Sequence, residues 1–75
     1  MPTLSAQIEN NFRYHRPFGN QQLRYEAIRA KAKELAHLLD SMCPESRERS
    51  LAITNLEQAV MWANSSIARN EIEPL

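Results

Sequence analysis

Tyr14, His15 and Arg16 stand side by side, and Arg29 and Lys33 follow four residues apart. A flat ring can stack on a nucleobase, and a guanidinium or ammonium group can hold a phosphate. A nucleotide-type ligand needs both. On a helix, residues four apart share a face, so Arg29 and Lys33 would present their charges together. The surrounding residues sharpen the pattern. From Arg13 to Lys33 there are six cations (Arg13, Arg16, Arg24, Arg29, Lys31 and Lys33) against the single acid Glu26, a local charge of +5. Four of the five aromatic residues, Phe12, Tyr14, Phe18 and Tyr25, lie in or beside this stretch, and only Trp62 lies outside it. The whole chain is neutral, with nine cationic and nine acidic side chains, which argues against nonspecific binding to long nucleic acid. Basic residues on a helix are more often a solvated face than a site, so composition alone leaves both readings open.

Catalytic and metal chemistry find little footing. A single glycine cannot build a Gly-rich phosphate loop, and no HExxH, EF-hand or CxxC pattern occurs. Cys43 is the only cysteine, which rules out an internal disulfide. With His15 and His37 it is too small a set for a structural zinc site. Neither histidine has the spacing to a cysteine or serine that would suggest a nucleophile and its base. The expectation is a binder and not an enzyme, with no cofactor and no metal. Apolar runs are too short to span a bilayer, and the first residues lack a signal-peptide layout. A lone free cysteine suits a reducing compartment, so the expected location is cytoplasmic, with no membrane partner.

The elements that must position these side chains follow from periodicity and breakers. Residues 3–11 read as a short helix, with Thr3 or Ser5 as cap and Ile8 as apolar anchor. Residues 12–20 read as a connector, in which Pro17 pushes Arg16 toward extended geometry and Gly19 permits a turn. A helix over 21–42, capped by Asn20, carries the seam Ile28, Ala32, Leu35, Leu39 and Met42. Pro44 suits the first position of a second helix over 44–69, with Glu45 and Glu48 at its positive start. Ile53, Leu56, Val60, Ala63 and Ile67 form its matching seam. Residues 70–75 are expected to fray as a tail. The expected fold is all-α: a short N-terminal helix, then a two-helix antiparallel hairpin, in one domain over 1–75. Leu38, Leu51, Met61 and Trp62 fall off the seams. A chain of 75 residues without disulfide or metal is marginal alone, so self-association is expected.

Several runs, in order, carry a family resemblance. They are Phe12-Arg13-Tyr14-His15-Arg16-Pro17, Arg24-Tyr25-Glu26-Ala27-Ile28-Arg29, Cys43-Pro44-Glu45-Ser46-Arg47-Glu48 and Ser50-Leu51-Ala52. The run Leu56-Glu57-Gln58-Ala59-Val60-Met61-Trp62-Ala63-Asn64, ending Ile67-Ala68-Arg69, completes them. Over about residues 12–70 the chain resembles the phage signal-sponge hairpin family shared by anti-CBASS and anti-Thoeris proteins. The resemblance implies a phage- or prophage-encoded hairpin that assembles as a homohexamer in the bacterial host cytosol. There it would sequester cyclic oligonucleotide immune signals without degrading them. Such sponges have one type of pocket between subunits for cyclic dinucleotides and another near the threefold axes for cyclic trinucleotides.

Carried onto this chain, Tyr14 would stack a base and Arg29 would bind phosphate in the first pocket, with Arg24 and Lys33 as alternatives to Arg29. Arg69, with Asn64, would serve the second. Tyr14 and Arg29 belong to the start of the hairpin and Arg69 to the end of its second helix, so two independent sites are expected. Anti-Thoeris members bind a cyclic ADP-ribose variant and usually carry extra sequence before the hairpin. The roughly twenty residues found here favour the anti-CBASS branch, with cyclic ADP-ribose variants as a secondary ligand. The competing reading is an oligomeric helical-bundle adaptor or RNA-binding regulator, which has no need of clustered rings and cations. A helix-turn-helix DNA binder would want a short basic recognition helix, whereas Arg47 and Arg49 are offset by Glu45 and Glu48.

Overall fold

The structure, a computed structural model, describes residues 2–74. Three helices, α1 (Leu4–Asn11), α2 (Gln21–Met42) and α3 (Arg47–Asn70), make up its regular structure, with no strand among the described residues. Helix α1 starts at Thr3, whose extended backbone lets Oγ1 accept the Ala6 N–H at 3.1 Å. The connector then turns at Gly19, where φ is +56°, a left-handed conformation suited to glycine.

The start of α2 differs from the expected cap. Asn20 has φ −92° and ψ 13°, not the extended geometry that aims a side chain at the next amides, and it caps nothing. Its Oδ1 instead accepts from Arg24 Nε at 3.0 Å, while Gln21 Oε1 accepts the Phe18 N–H at 3.1 Å. Helix α3 also begins later than Pro44. Ser46 is fully extended and its Oγ accepts the Arg49 N–H at 3.1 Å, so the serine sets the boundary and Pro44 and Glu45 fall in the turn. Glu48 alone of the two glutamates sits in the first turn. Arg49 reaches back across this turn and donates to the Asp40 and Cys43 carbonyls, both at 3.3 Å, which covers the open end of α2.

Helices α2 and α3 pack as an antiparallel hairpin. On α3 the seam Ile53, Leu56, Val60, Ala63 and Ile67 is half-buried throughout. On α2 the seam shifts: Ile28, Ala32 and Leu39 face inward, but Leu35 is 43% exposed and Met42 76%. Ala36 and Cys43 take the inner places. The expected seam repeats every 3.5 residues, whereas a straight helix repeats every 3.6 and drifts about 20° per heptad. That drift carries Leu35 and Met42 onto the flank, beside Leu38.

No apolar side chain among the described residues is buried; the one buried residue among them is the polar Gln21. The elongated hairpin, 49 × 28 × 18 Å, therefore closes a seam without forming a core. The tail does not simply fray. Past Asn70 it is irregular, yet Glu71 pairs with Arg24 and Glu73 with Arg16, fixing it against the start of α2 and the connector. Leu75, the last tail residue, lies outside the described residues.

Candidate functional site

The antiparallel pairing sets the start of α2 beside the end of α3, and the connector from α1 crosses both. Asn10 holds this junction. Its Nδ2 donates to the Arg69 carbonyl at 3.0 Å, and its own carbonyl accepts from His15 Nε2 at 2.8 Å. A carbonyl can only accept, so His15 donates to it from Nε2.

A cleft of about 410 Å³ opens here, walled by Tyr14, His15, Tyr25, Arg29, Asn64 and Arg69. Within the single chain the residues expected in two separate pockets thus share a single cleft. Tyr14 and Arg69 are far apart in the chain, but the hairpin reverses direction and brings the ends of α2 and α3 together. An adjoining cleft of about 420 Å³ is lined by Tyr14, His15, Arg16, Arg69, Glu71 and Glu73. Lys33 stands apart from Tyr14. It lines an apolar groove of about 460 Å³ between α2 and α3 with Arg29, Val60 and Met61.

The cations fall into two sorts. Arg29, Lys33 and Arg69 make no side-chain hydrogen bond or ion pair among the described residues. Arg16 and Arg24 are occupied: Arg16 Nη2 donates to Glu73 Oε1 at 2.8 Å, and Arg24 grips Glu71 with two bonds of 2.7 and 2.5 Å. Gln21 Nε2 donates to the same Glu71 carboxylate at 3.0 Å. These bonds, from Arg24 first and Gln21 second, lower Glu71 to a pKa of about 2. In return Glu73 raises Arg16 and Glu71 raises Arg24, so both guanidiniums stay charged.

The two rings differ in exposure. Tyr14 is 81% exposed, a free stacking surface, while Tyr25 is half-buried in the wall behind it. Asn64 adds an acceptor: its Oδ1 is buried and has no hydrogen-bond partner. An unsatisfied buried acceptor is costly, and a donor arriving in the cleft would relieve it.

Tyr25, Gln21, Asn10 and the two tail glutamates were not marked as site residues by sequence reasoning. Tyr25 carried a usable signal, since it precedes Arg29 by four residues and so shares its face. No group of three His, Cys, Asp or Glu side chains able to hold a metal occurs among the described residues. No helix among the described residues is long and apolar enough to cross a membrane.

A helical hairpin with rings and unpaired guanidiniums gathered at one end has the chemistry to hold an anionic, ring-bearing ligand. The chain belongs to the Acb2/Tad1 hairpin-domain family, whose model matches residues 5–68. That family is associated with sequestering cyclic oligonucleotide signals; its members are sponge-type binding proteins and are not known as enzymes. Each candidate site residue except Arg69 falls within the matched span. No curated protein and no solved structure matches the chain.

Proposed function

We propose that this protein is a phage- or prophage-encoded sponge of the anti-CBASS type, working in the bacterial cytosol. It binds cyclic di- and trinucleotide signals and holds them unaltered, with cyclic ADP-ribose variants as a secondary ligand. The observation that carries the reading is the shared cleft, where Tyr14 offers a ring beside the unpaired guanidiniums of Arg29 and Arg69. In the dinucleotide site Tyr14 stacks a base and Arg29 binds phosphate, with His15 and Arg16 at its edges; Lys33, which shares only the neighbouring groove with Arg29, is the alternative cation. In the trinucleotide site Arg69 binds phosphate and Asn64 accepts from the ligand.

The working form is a homohexamer. The support is physical: no apolar side chain among the described residues is buried, and Leu38, Met42, Met61 and Trp62 are half or more exposed. Apolar surface on this scale is covered in a stable soluble protein. Neutral overall charge and the absence of a basic recognition helix support ligands smaller than DNA.

A thermal-shift panel of cyclic dinucleotides, cyclic trinucleotides, a cyclic ADP-ribose variant and linear dinucleotide controls tests this. A ligand at ~100 times its dissociation constant adds ~2.7 kcal/mol of stability, a readable shift. Stabilisation by cyclic but not linear compounds is expected. A flat response across the panel would favour a helical-bundle adaptor instead.

A further inference from the structure

The tail of the protein places two carboxylates where an anionic ligand would be gripped. Past α3, Glu71 has extended backbone, with φ −99° and ψ 139°. In an extended segment alternate residues point the same way. Glu71 and Glu73 both turn toward the body, while Ile72 between them is 90% exposed. Each meets a different arginine, Arg24 and Arg16, from the start of α2 and the connector.

The Glu71 contact is the more telling. Its two oxygens receive three donors, Arg24 Nη1, Arg24 Nη2 and Gln21 Nε2. Gln21, whose amide supplies the third, is the one buried residue among the described residues. A two-pronged guanidinium with a buried amide beside it suits a phosphate as well as a carboxylate. The tail glutamates line the same cleft as Tyr14 and His15, so this anion seat is continuous with the candidate ligand site.

We infer that Arg16, Arg24 and Gln21 form a further phosphate subsite, which Glu71 and Glu73 occupy in the free protein and which ligand phosphate takes over by displacing the tail. Among the described residues, little else holds the tail in place. It has no helical bonds beyond Asn70 and its middle side chain faces solvent. Both ion pairs are partly exposed, and such pairs are worth only a few-fold in an equilibrium constant, so a phosphate can compete for the arginines. The low pKa of Glu71 keeps the tail charged at neutral pH, which makes it a constant competitor there and not a pH switch. This inference rests on the proposed function for the identity of the ligand, but the subsite itself calls only for a phosphate.

The test uses the full chain and two probes, a cyclic dinucleotide and inorganic pyrophosphate. Calorimetry compares the parent with the variant Glu71→Gln/Glu73→Gln, which keeps size and removes both charges. Binding of each probe is expected to tighten by roughly three- to tenfold, since two weak competing pairs are lost. Adding Arg24→Gln to that variant should cancel the gain. A second readout needs no substitution. In the isotope-labelled parent, pyrophosphate should move the Glu71 and Glu73 amide signals toward the values of unstructured chain.

Tighter pyrophosphate binding with no cyclic dinucleotide binding in either protein would keep the subsite and sink the sponge reading. Cyclic dinucleotide binding that is unchanged or weaker in the variant, with the tail signals unmoved by either probe, overturns the subsite and leaves the sponge reading intact.

Discussion

At the scale of single residues, each part of the proposed site makes a separate demand. Arg29 has no side-chain partner among the described residues, so its truncation removes what it gives a ligand. A hydrogen bond to a charged group is worth ~1.5–3 kcal/mol, so Arg29→Ala should weaken dinucleotide binding by at least about tenfold with little change in melting temperature. Tyr14→Ala should lose ~1–3 kcal/mol of stacking, and Tyr14→Phe should retain most of it. Calorimetry with both ligand classes then asks whether Arg69 belongs to a second site. If it does, Arg69→Ala weakens the trinucleotide and spares the dinucleotide. Equal losses for both would mean a single site, a result the shared cleft in the protomer makes worth seeking.

Asn64 makes a different demand. Replacing it with Leu removes an unpaired buried acceptor that costs ~1–3 kcal/mol, so the free protein should melt higher while binding the trinucleotide less well. A lower melting temperature with binding retained would show that Asn64 is structural. The rings and cations that define this site were legible as types in the first half of the chain. Their convergence with Asn64 and Arg69 was not, because it depends on the register of two long helices and not on any local pattern.

At the scale of elements, the three helices and the α3 seam could be read from periodicity, and the departures have simple causes. The α2 seam was displaced because a 3.5-residue repeat was laid on a 3.6-residue helix. The start of α3 was set by a serine hydroxyl and not by proline's missing N–H. Ser46→Ala should therefore cost ~1 kcal/mol in urea unfolding, whereas Pro44→Ala should cost less, since Pro44 lies outside the helix. The tail's order was invisible in sequence because its partners Arg24 and Arg16 lie 47 and 57 residues away. That order has a pH signature. The Glu71 carboxyl is lowered from 4.5 to about 2, so its contribution is complete above the ordinary carboxylate pKa and is lost as pH falls through about 2. Amide exchange or NMR signals of residues 71–73 should report the tail loosening as pH drops across that window. A tail that holds equally well below it would contradict the role of the ion pairs.

At the scale of the whole molecule, the proposed homohexamer answers a hairpin in which no apolar side chain among the described residues is buried. Light scattering after size exclusion should give a multiple of 8.7 kDa, with six as the expected number. Trp62 provides a clean probe because it is 68% exposed in the protomer, so it contributes little to the isolated hairpin. If assembly buries it, Trp62→Ala should weaken the oligomer by ~2 kcal/mol or more, as truncation of a buried interface aromatic does. An unchanged oligomer would place Trp62 outside the interfaces. Sequestration also makes a stoichiometric demand: each site is used once, so binding must be tight. Charge-assisted bonds at ~1.5–3 kcal/mol and stacking at ~1–3 kcal/mol per base can together reach nanomolar affinity after entropy losses. The most direct measurement is to hold the protein with a slight excess of sites over cyclic dinucleotide for hours, denature it, and chromatograph the nucleotide it releases. Free ligand should be depleted before denaturation, and the full amount should then return as unmodified cyclic compound that still activates its effector. Ligand that was never depleted, or linear product that grows with protein and time, would contradict the account.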